Sequence, residues 1–192
     1  MTRLPLLQWN EMNEEQREVV EWFRAEKGRE PQPTHLTWMR SPALAKQVLE
    51  FGHHLRYEIL DARKRELAIL ITGRACKSPV EWHLHLPHAR KAGIEEQIIS
   101  DLAANKKPQF TNDQEDALYD VCMNLLKDLS VSDENYERSM RVLGPKEYVE
   151  LVAITGFYVL MAMLIGAFNF KLPEGVEPAF VDDAPPRGPG HS

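Results

Sequence analysis

The densest group of side chains able to do acid–base chemistry lies near the middle of the chain, in the segment EWHLHLPH. It contains Glu81, Trp82, His83, His85 and His88. On a helix, spacings of four and seven residues return to one face, so Glu81, His85 and His88 share a stripe. The neighbouring stripe carries Trp82 and is apolar, and groups that border a buried face can have pKa values shifted towards catalytic use. The pattern indicates an acid–base site.

Two other interpretations of this stripe stay open. Glu81 and His85 are four residues apart and can form an ordinary structural pair on the helix surface. Their shared face with His88 could also hold zinc, but the spacing differs from H-E-x-x-H and no second cluster of ligand residues accompanies it. We therefore expect no metal and no other cofactor.

The preceding helix carries Glu66 beside its apolar stripe. This carboxylate could join the stripe of imidazoles, or it could pair with Arg63 on its own helix. Glycine at position 73, seven residues further on, would let a neighbouring helix approach closely. The two cysteines, Cys76 and Cys122, show no C-x-x-C spacing and predict free thiols in a reducing, cytoplasmic compartment.

Capping residues and breakers divide the chain into helices, with no segment that indicates a strand. Asn13, Asp61, Thr111 and Ser132 resemble N-caps, and Ser-Pro opens helices at Pro42 and Pro79. A turn-rich linker is predicted at 28–33. The fold class is therefore all-α, a single-domain helical bundle over residues 1–176 with about eight helices. A Pro-rich tail follows at 177–192.

Charge and hydropathy limit the partners of the chain. Its 192 residues carry a net charge of −6 without a block of basic residues, which argues against a nucleic acid or an anionic membrane as partner. Residues 151–170 form an uncharged run as long as a membrane span. Acidic rather than basic flanks favour a helix buried in a core or an oligomer interface.

Residues 65–98, RELAILITGRACKSPVEWHLHLPHARKAGIEEQI, resemble the carboxymuconolactone decarboxylase family, which includes the alkyl hydroperoxidase D-like proteins. The resemblance extends to the helix at 41–56 and to the segment 147–175. It implies an all-α fold that assembles as a homo-oligomer, a trimer or a hexamer, and that acts on a small molecule.

The peroxidase branch of that family uses a C-x-x-C-x-x-x-H motif with a glutamate twelve residues before it. When the histidine is placed on His85, that glutamate falls on Glu66, and the two cysteine positions fall on Ser78 and Glu81. Disulfide exchange cannot run without a dithiol, so a thiol peroxidase that uses Cys76 or Cys122 is the disfavoured alternative.

The resemblance instead favours the decarboxylase branch, which needs neither a cofactor nor a thiol. It implies His85 as general acid–base, Glu66 as its orienting partner and Glu81 as a second carboxylate. We expect His88, Trp82 and Tyr158 to bind the substrate, a small carboxylated lactone or ring. The substrate's charge calls for a cation, for which Arg63, Arg74 and His88 are the candidates. A non-catalytic, oligomeric small-molecule binder is a further alternative.

Overall fold

The computed structural model describes residues 2–181, and within that range all regular secondary structure is helical, which confirms the all-α prediction. The helices are α1 (Glu14–Lys27), α2 (Pro33–Trp38), α3 (Pro42–Tyr57), α4 (Ala62–Ala75), α5 (Pro79–Lys91), α6 (Glu96–Ala103), α7 (Asp113–Asp128), α8 (Asp133–Val142) and α9 (Gly144–Phe168). A short 3-10 turn at Trp9–Glu11 precedes them. Most of the predicted Pro-rich tail lies outside the described residues.

Local capping explains where most of the helices begin. The side chains of Asn13, Asp61 and Ser132 accept backbone N–H bonds from the first turns of α1, α4 and α8. The prediction for α7 was wrong by one residue, because Asn112 rather than Thr111 accepts the N–H of Gln114. The short Asn side chain offers the same acceptor geometry one position closer to the helix.

The sequence analysis missed α2, which follows directly on the predicted linker. Pro33 fixes the backbone of its first position, and the imidazole of His35 accepts the N–H of Gln32 at 3.1 Å. Six residues are too few to show a helical period, so these two capping features are the available signal.

The central helix of the fold is α4, which packs against α5, α6, α7 and α9. Every residue from Glu66 to Gly73 is buried. A helix buried on all sides must pair its polar groups, and Lys64 does so by donating to Glu147 at 2.7 Å. Because α4 is buried on all sides, the side chain of Glu66 lies inside the protein.

Helix α5 lies close against α4 where α4 carries Gly73. A Cβ added at Gly73 would lie 3.6 Å from the backbone nitrogen of Trp82 and 3.7 Å from the Cβ of Glu81. The first turn of α5 therefore packs against the last turn of α4, as the glycine predicted. Glu81 on α5 consequently reaches the side of α4 that carries Glu66.

A second, smaller hydrophobic cluster holds the N-terminal helices against α3. It contains Val20 and Phe23 from α1, Met39 after α2, and Ala45 and Leu49 from α3. It is separate from the main core around α4. Residues 7–49 thus form a cap whose position depends on α3.

Helix α9 buries one face and leaves the other open. Among the described residues it is the one helix long and apolar enough to cross a bilayer, with a mean hydropathy of 2.3 in its most apolar stretch, of which 33% is buried. Leu151, Ile154 and Tyr158 face the core. Val152 and Met163 are exposed at 39% and 60%.

Candidate active site

Glu66, His85 and Glu81 form one buried chain of contacts between α4 and α5. His85 Nδ1 lies 2.8 Å from Glu66 Oε2, and His85 Nε2 lies 3.3 Å from Glu81 Oε1. All three side chains are at most 5% exposed. The alternative pairing of Glu66 with Arg63 is not formed, because Arg63 binds Glu115 and Glu95 instead.

The surroundings give the two carboxyl groups opposite protonation states. Burial raises the pKa of Glu81 to about 8, and the neighbouring Glu66 adds to this shift while Arg56 opposes it. Burial alone would also raise the pKa of Glu66, but the hydrogen bond with His85 and the charges of His85, Arg56 and Arg65 outweigh it, and the pKa is lowered. Glu66 is therefore ionised at neutral pH, whereas Glu81 holds a proton.

His85 links the two carboxyl groups as a neutral imidazole. Burial lowers its pKa to about 4, despite the hydrogen bond with Glu66. Because the ionised Glu66 accepts at 2.8 Å, the ring proton lies on Nδ1 and the lone pair on Nε2. The protonated Glu81 can donate to that lone pair. Glu81 Oε2 is buried with no hydrogen-bond partner among the described residues, which suits a carboxyl group that is uncharged.

Arg56, near the end of α3, is the cation of this site. Its Nη1 lies 3.2 Å from His85 Nε2 and donates to the hydroxyl of Tyr158 at 3.4 Å, and its Nη2 lies 3.9 Å from Glu66. The sequence analysis missed it and named Arg63, Arg74 and His88 instead. Arg63 binds Glu115, and Arg74 donates to the carbonyl of Ala103. Arg56 ends the segment 41–56 that resembles the family, and this was the available signal.

The site opens into a cavity of about 270 Å³. Glu81, His85 and Arg56 line it on one side, with Tyr158 from α9 beside them. The residues contributed by the N-terminal cap are Phe23, Arg29, Gln32, Thr34, His35, Trp38, Val48 and Leu49. A cavity of this volume suits a small organic molecule, and the titratable groups meet it directly.

The predicted substrate-binding residues divide between the cavity and the core. Tyr158 lines the cavity with its ring edge-on to His85, the ring centroids being 4.9 Å apart, and His88 lines it from an exposed position. The expectation for Trp82 requires correction. Trp82 is 1% exposed and packs in the main core against Phe180, because its stripe on α5 turns inward.

Neither thiol belongs to the cavity. Burial raises the pKa of Cys76 to about 11 and that of Cys122 to about 12. Cys122 is fully buried, and its sulfur lies 3.5 Å from the hydroxyl of Thr155. Both thiols are therefore protonated at neutral pH, and neither lines the space where a substrate would lie.

The arrangement supports proton transfer better than metal chemistry. Within residues 2–181, no group of three or more His, Cys, Asp or Glu side chains is placed to hold a metal ion. A neutral imidazole, a protonated carboxyl group and an arginine instead contact one another beside a cavity. Such a set can bind an anion and deliver or accept a proton.

Comparison with known proteins agrees with the family resemblance of the sequence and with the helical fold. The model of the carboxymuconolactone decarboxylase family matches residues 42–134, which include α3, α4 and α5. No curated protein sequence gives a significant match. An Agrobacterium tumefaciens protein of unknown function, suggested to be the antioxidant defence protein AhpD, is similar in structure, with 21% identity and a TM-score of 0.65 over 73% of this chain and 97% of the other.

A second solved structure covers more of the chain. It is an uncharacterised peroxidase-related protein from Ralstonia eutropha with an alkylhydroperoxidase AhpD core. It shares 16% identity and a TM-score of 0.69 over 90% of this chain and 93% of the other. At such identities, these two structures establish the shared fold and nothing about the reaction.

Proposed function

Because residues 42–134 match the carboxymuconolactone decarboxylase family, we propose that this chain is a cofactor-independent acid–base enzyme that decarboxylates a small carboxylated lactone or ring. The observation that carries this proposal is the contact chain Glu66–His85–Glu81. Its last member, Glu81, lines the cavity and has a pKa of about 8. A carboxyl group that holds its proton at neutral pH is a general acid in the correct state.

Decarboxylation needs an electron sink and a proton donor. The bond between the ring carbon and the carboxylate carbon breaks, CO₂ leaves, and the electron pair passes into the conjugated ring. Glu81 then gives its proton to the ring, becomes a carboxylate, and takes a new proton from water. The net reaction consumes one proton from solvent and releases one CO₂.

The other groups of the site prepare Glu81 for this step. His85, oriented by Glu66, accepts a hydrogen bond from Glu81 through Nε2 and fixes the carboxyl group beside the cavity. Arg56 attracts the anionic substrate and stabilises negative charge that develops in the ring. This division refines the sequence expectation, because a histidine with a pKa of about 4 has no proton to give at neutral pH beyond the one it shares with Glu66.

The test is CO₂ release from carboxymuconolactone and related lactone acids by the wild type and by Glu81→Gln. The variant keeps the size and polarity of the side chain but has no acidic proton, so we expect kcat to fall by roughly 10²–10⁴. Glu66→Gln should lower kcat by a smaller factor, because it disturbs only the orientation of His85. Wild-type turnover retained in Glu81→Gln would refute the assignment of the acid.

The thiol peroxidase alternative receives no support from the site. Both thiol pKa values are raised, and both thiols lie away from the cavity. The same assay of CO₂ release distinguishes the enzyme from a non-catalytic binding protein, because a binding protein would bind lactone acids without releasing CO₂. Titration of free thiols before and after peroxide treatment would detect any reactive cysteine.

We also propose that a second copy of the chain covers the open face of α9. Val152, Gly156 and Met163 form a stripe on this face, and a Cβ added at Gly156 would meet no atom within 4 Å. Apolar and small residues on one stripe allow another helix to approach closely. This agrees with the homo-oligomer implied by the resemblance to the family.

Sedimentation of purified protein would test this interface. Val152→Glu places a charge in the stripe and should shift the protein to a smaller species. Leu129→Glu is the matched control, because Leu129 is 83% exposed and lies at the end of a different helix, α7. A wild type that sediments as a monomer, or recovery of the protein in the membrane pellet, would contradict the proposal.

A further inference from the structure

The cavity has two walls with different kinds of polar group. The wall formed by α4 and α5, with Arg56 of α3, holds the proton-transfer groups. The wall formed by the N-terminal cap contributes Arg29, from the loop between α1 and α2, and His35 and Trp38 from α2. These residues precede the segment 42–134 that matches the family, so the reaction chemistry common to that segment does not account for them.

The N-terminal wall presents hydrogen-bond donors without acceptors to receive them. Arg29 is exposed, its guanidinium lies 5.1 Å from the ring centroid of Phe23, and it forms no ion pair with any residue in the described range. His35 Nδ1 accepts the N–H of Gln32, so the neutral ring carries its proton on Nε2. The indole Nε1–H of Trp38 is buried with no acceptor among the described residues. An unpaired buried donor is costly unless a ligand supplies the acceptor.

The charges that line the cavity also indicate a ligand that accepts hydrogen bonds. Glu81 is the one acidic residue among the described residues that line it, and Arg29 and Arg56 are both there. Local excess of positive charge in a chain of net charge −6 indicates an anionic ligand. Because Arg56 is committed to the acid–base wall, a separate anionic group of the ligand is required for Arg29.

We propose that Arg29 and His35 form a second anion subsite that binds a carboxylate of the substrate other than the one that is lost. This inference rests on the proposed function, because it assigns Arg56 and Glu81 to the reacting end. The aromatic rings of Phe23, Trp38 and Phe157 also line the cavity and suit a flat ring. The N-terminal cap is thereby the specificity-determining part of the enzyme, and it selects molecules with two carboxylates.

Calorimetric titration with benzoate and with benzene-1,3-dicarboxylate tests the subsite without requiring turnover. The wild type should bind the dicarboxylate more tightly than benzoate. Arg29→Gln should weaken binding of the dicarboxylate by about tenfold and change binding of benzoate by less than about twofold. Arg29→Lys should recover part of the loss, because it restores the charge without the planar fork.

Two further variants make the outcome specific. Lys46→Gln is the matched control, since it removes one positive charge from an exposed position on α3 that does not line the cavity. His35→Phe keeps the aromatic packing against Phe23, whose ring centroid is 5.1 Å away, and removes the Nε2 donor together with the acceptor that caps Gln32. It should weaken binding of the dicarboxylate and leave binding of benzoate unchanged, whereas loss of the α2 cap alone would weaken binding of both ligands.

The subsite is overturned if the wild type does not prefer the dicarboxylate, or if Arg29→Gln weakens both ligands equally. The proposed reaction fails in a different experiment, by CO₂ release that persists in Glu81→Gln. If Arg29→Gln loses the preference for the dicarboxylate while Glu81→Gln still releases CO₂, the proposed anion subsite stands. The role of Glu81 as the general acid is then refuted.

Discussion

On the α4–α5 side of the cavity, buried carboxyl and imidazole groups contact one another, whereas on the N-terminal side Arg29 is exposed and has no carboxylate partner among the described residues. Glu66 is 1% exposed and is bound by His85, and Arg56 crosses to the same pair. Arg29 lies opposite in an exposed loop that is held by a separate, smaller core. One wall is fixed by the main core of the molecule, and the other is attached to it through α3.

This difference suggests how the molecule separates chemistry from selection. Groups that move protons need shifted pKa values and fixed positions, which only a deeply packed helix pair supplies. Groups that recognise a substrate need free donors at an accessible surface. We therefore expect substitutions in the α4–α5 wall to lower kcat, and substitutions in the N-terminal wall to change KM and substrate preference.

The largest effect should come from removing His85. His85→Ala takes away the group that holds the Glu81 carboxyl group and breaks the contact chain to Glu66, so kcat for CO₂ release should fall by roughly 10²–10⁴. His88→Ala is the control on the same helix face, and its exposed position predicts a change of no more than a few-fold, in KM. Equal losses in the two variants would break the distinction between buried and exposed imidazoles.

The next effect is the dependence of activity on pH. Burial raises the pKa of Glu81 to about 8, so the acid form is present below this value and is lost as the pH rises through it. The rate should therefore fall about tenfold per pH unit above pH 8. A rate that instead rises through pH 8 would mean that the carboxylate acts as a base.

The same group should make stability depend on pH, with a sign that can be checked by thermal unfolding. Between its ordinary pKa of 4.5 and its folded pKa of about 8, the folded protein holds a proton that the unfolded chain releases. The stability of the wild type relative to Glu81→Gln should therefore decrease as the pH rises through this window, by up to about 1.4 kcal/mol per unit. A constant difference would show that Glu81 is ionised when folded.

A smaller effect is expected where the cavity is shaped by packing alone. A Cβ added at Gly52 on α3 would lie 2.6 Å from Cζ of Phe157, and both residues line the cavity. Gly52→Ala should push the ring aside and raise KM by about three- to tenfold, with kcat little changed. Adding Phe157→Leu should restore KM, because the shorter side chain leaves room for the new methyl group. A fall in kcat without a change in KM would argue against this role.

The smallest effect should come from a residue outside both walls. Cys76→Ser should change kcat and KM by less than about twofold, because the thiol is protonated at neutral pH and does not line the cavity. Loss of activity in this variant would revive a role for the thiol that neither wall explains.

Much of the fold could be predicted because its signals are local. Capping residues and Ser-Pro pairs located the starts of most helices, and the helical period placed Glu81 and His85 on one face of α5. Helix α2 escaped because it is too short to show a period. Arg56 was missed because its role in the site depends on the contact between α3 and α5. These helices are distant along the chain, and helical periodicity does not predict such contacts.

Hydropathy and burial also diverged for α9 and α4. The run at 151–170 is the longest uncharged segment of the chain, yet α9 buries one face in the isolated chain. Helix α4 carries Lys64, Arg65 and Glu66 in its first half and is nevertheless the central helix. Composition measures the preference of each residue for an apolar medium, whereas burial depends on which faces find neighbours and whether each charge finds a partner.

By itself, then, the sequence determined the all-α class, most helix starts, and the shared face of Glu81, His85 and His88, because each depends on residues less than two helical turns apart. The tertiary structure alone decided which of these groups are ionised, that Arg56 is the cation, that Trp82 belongs to the core, and that the N-terminal cap closes the cavity. These properties arise from desolvation and from contacts between helices far apart along the chain, and both exist only after the helices have packed.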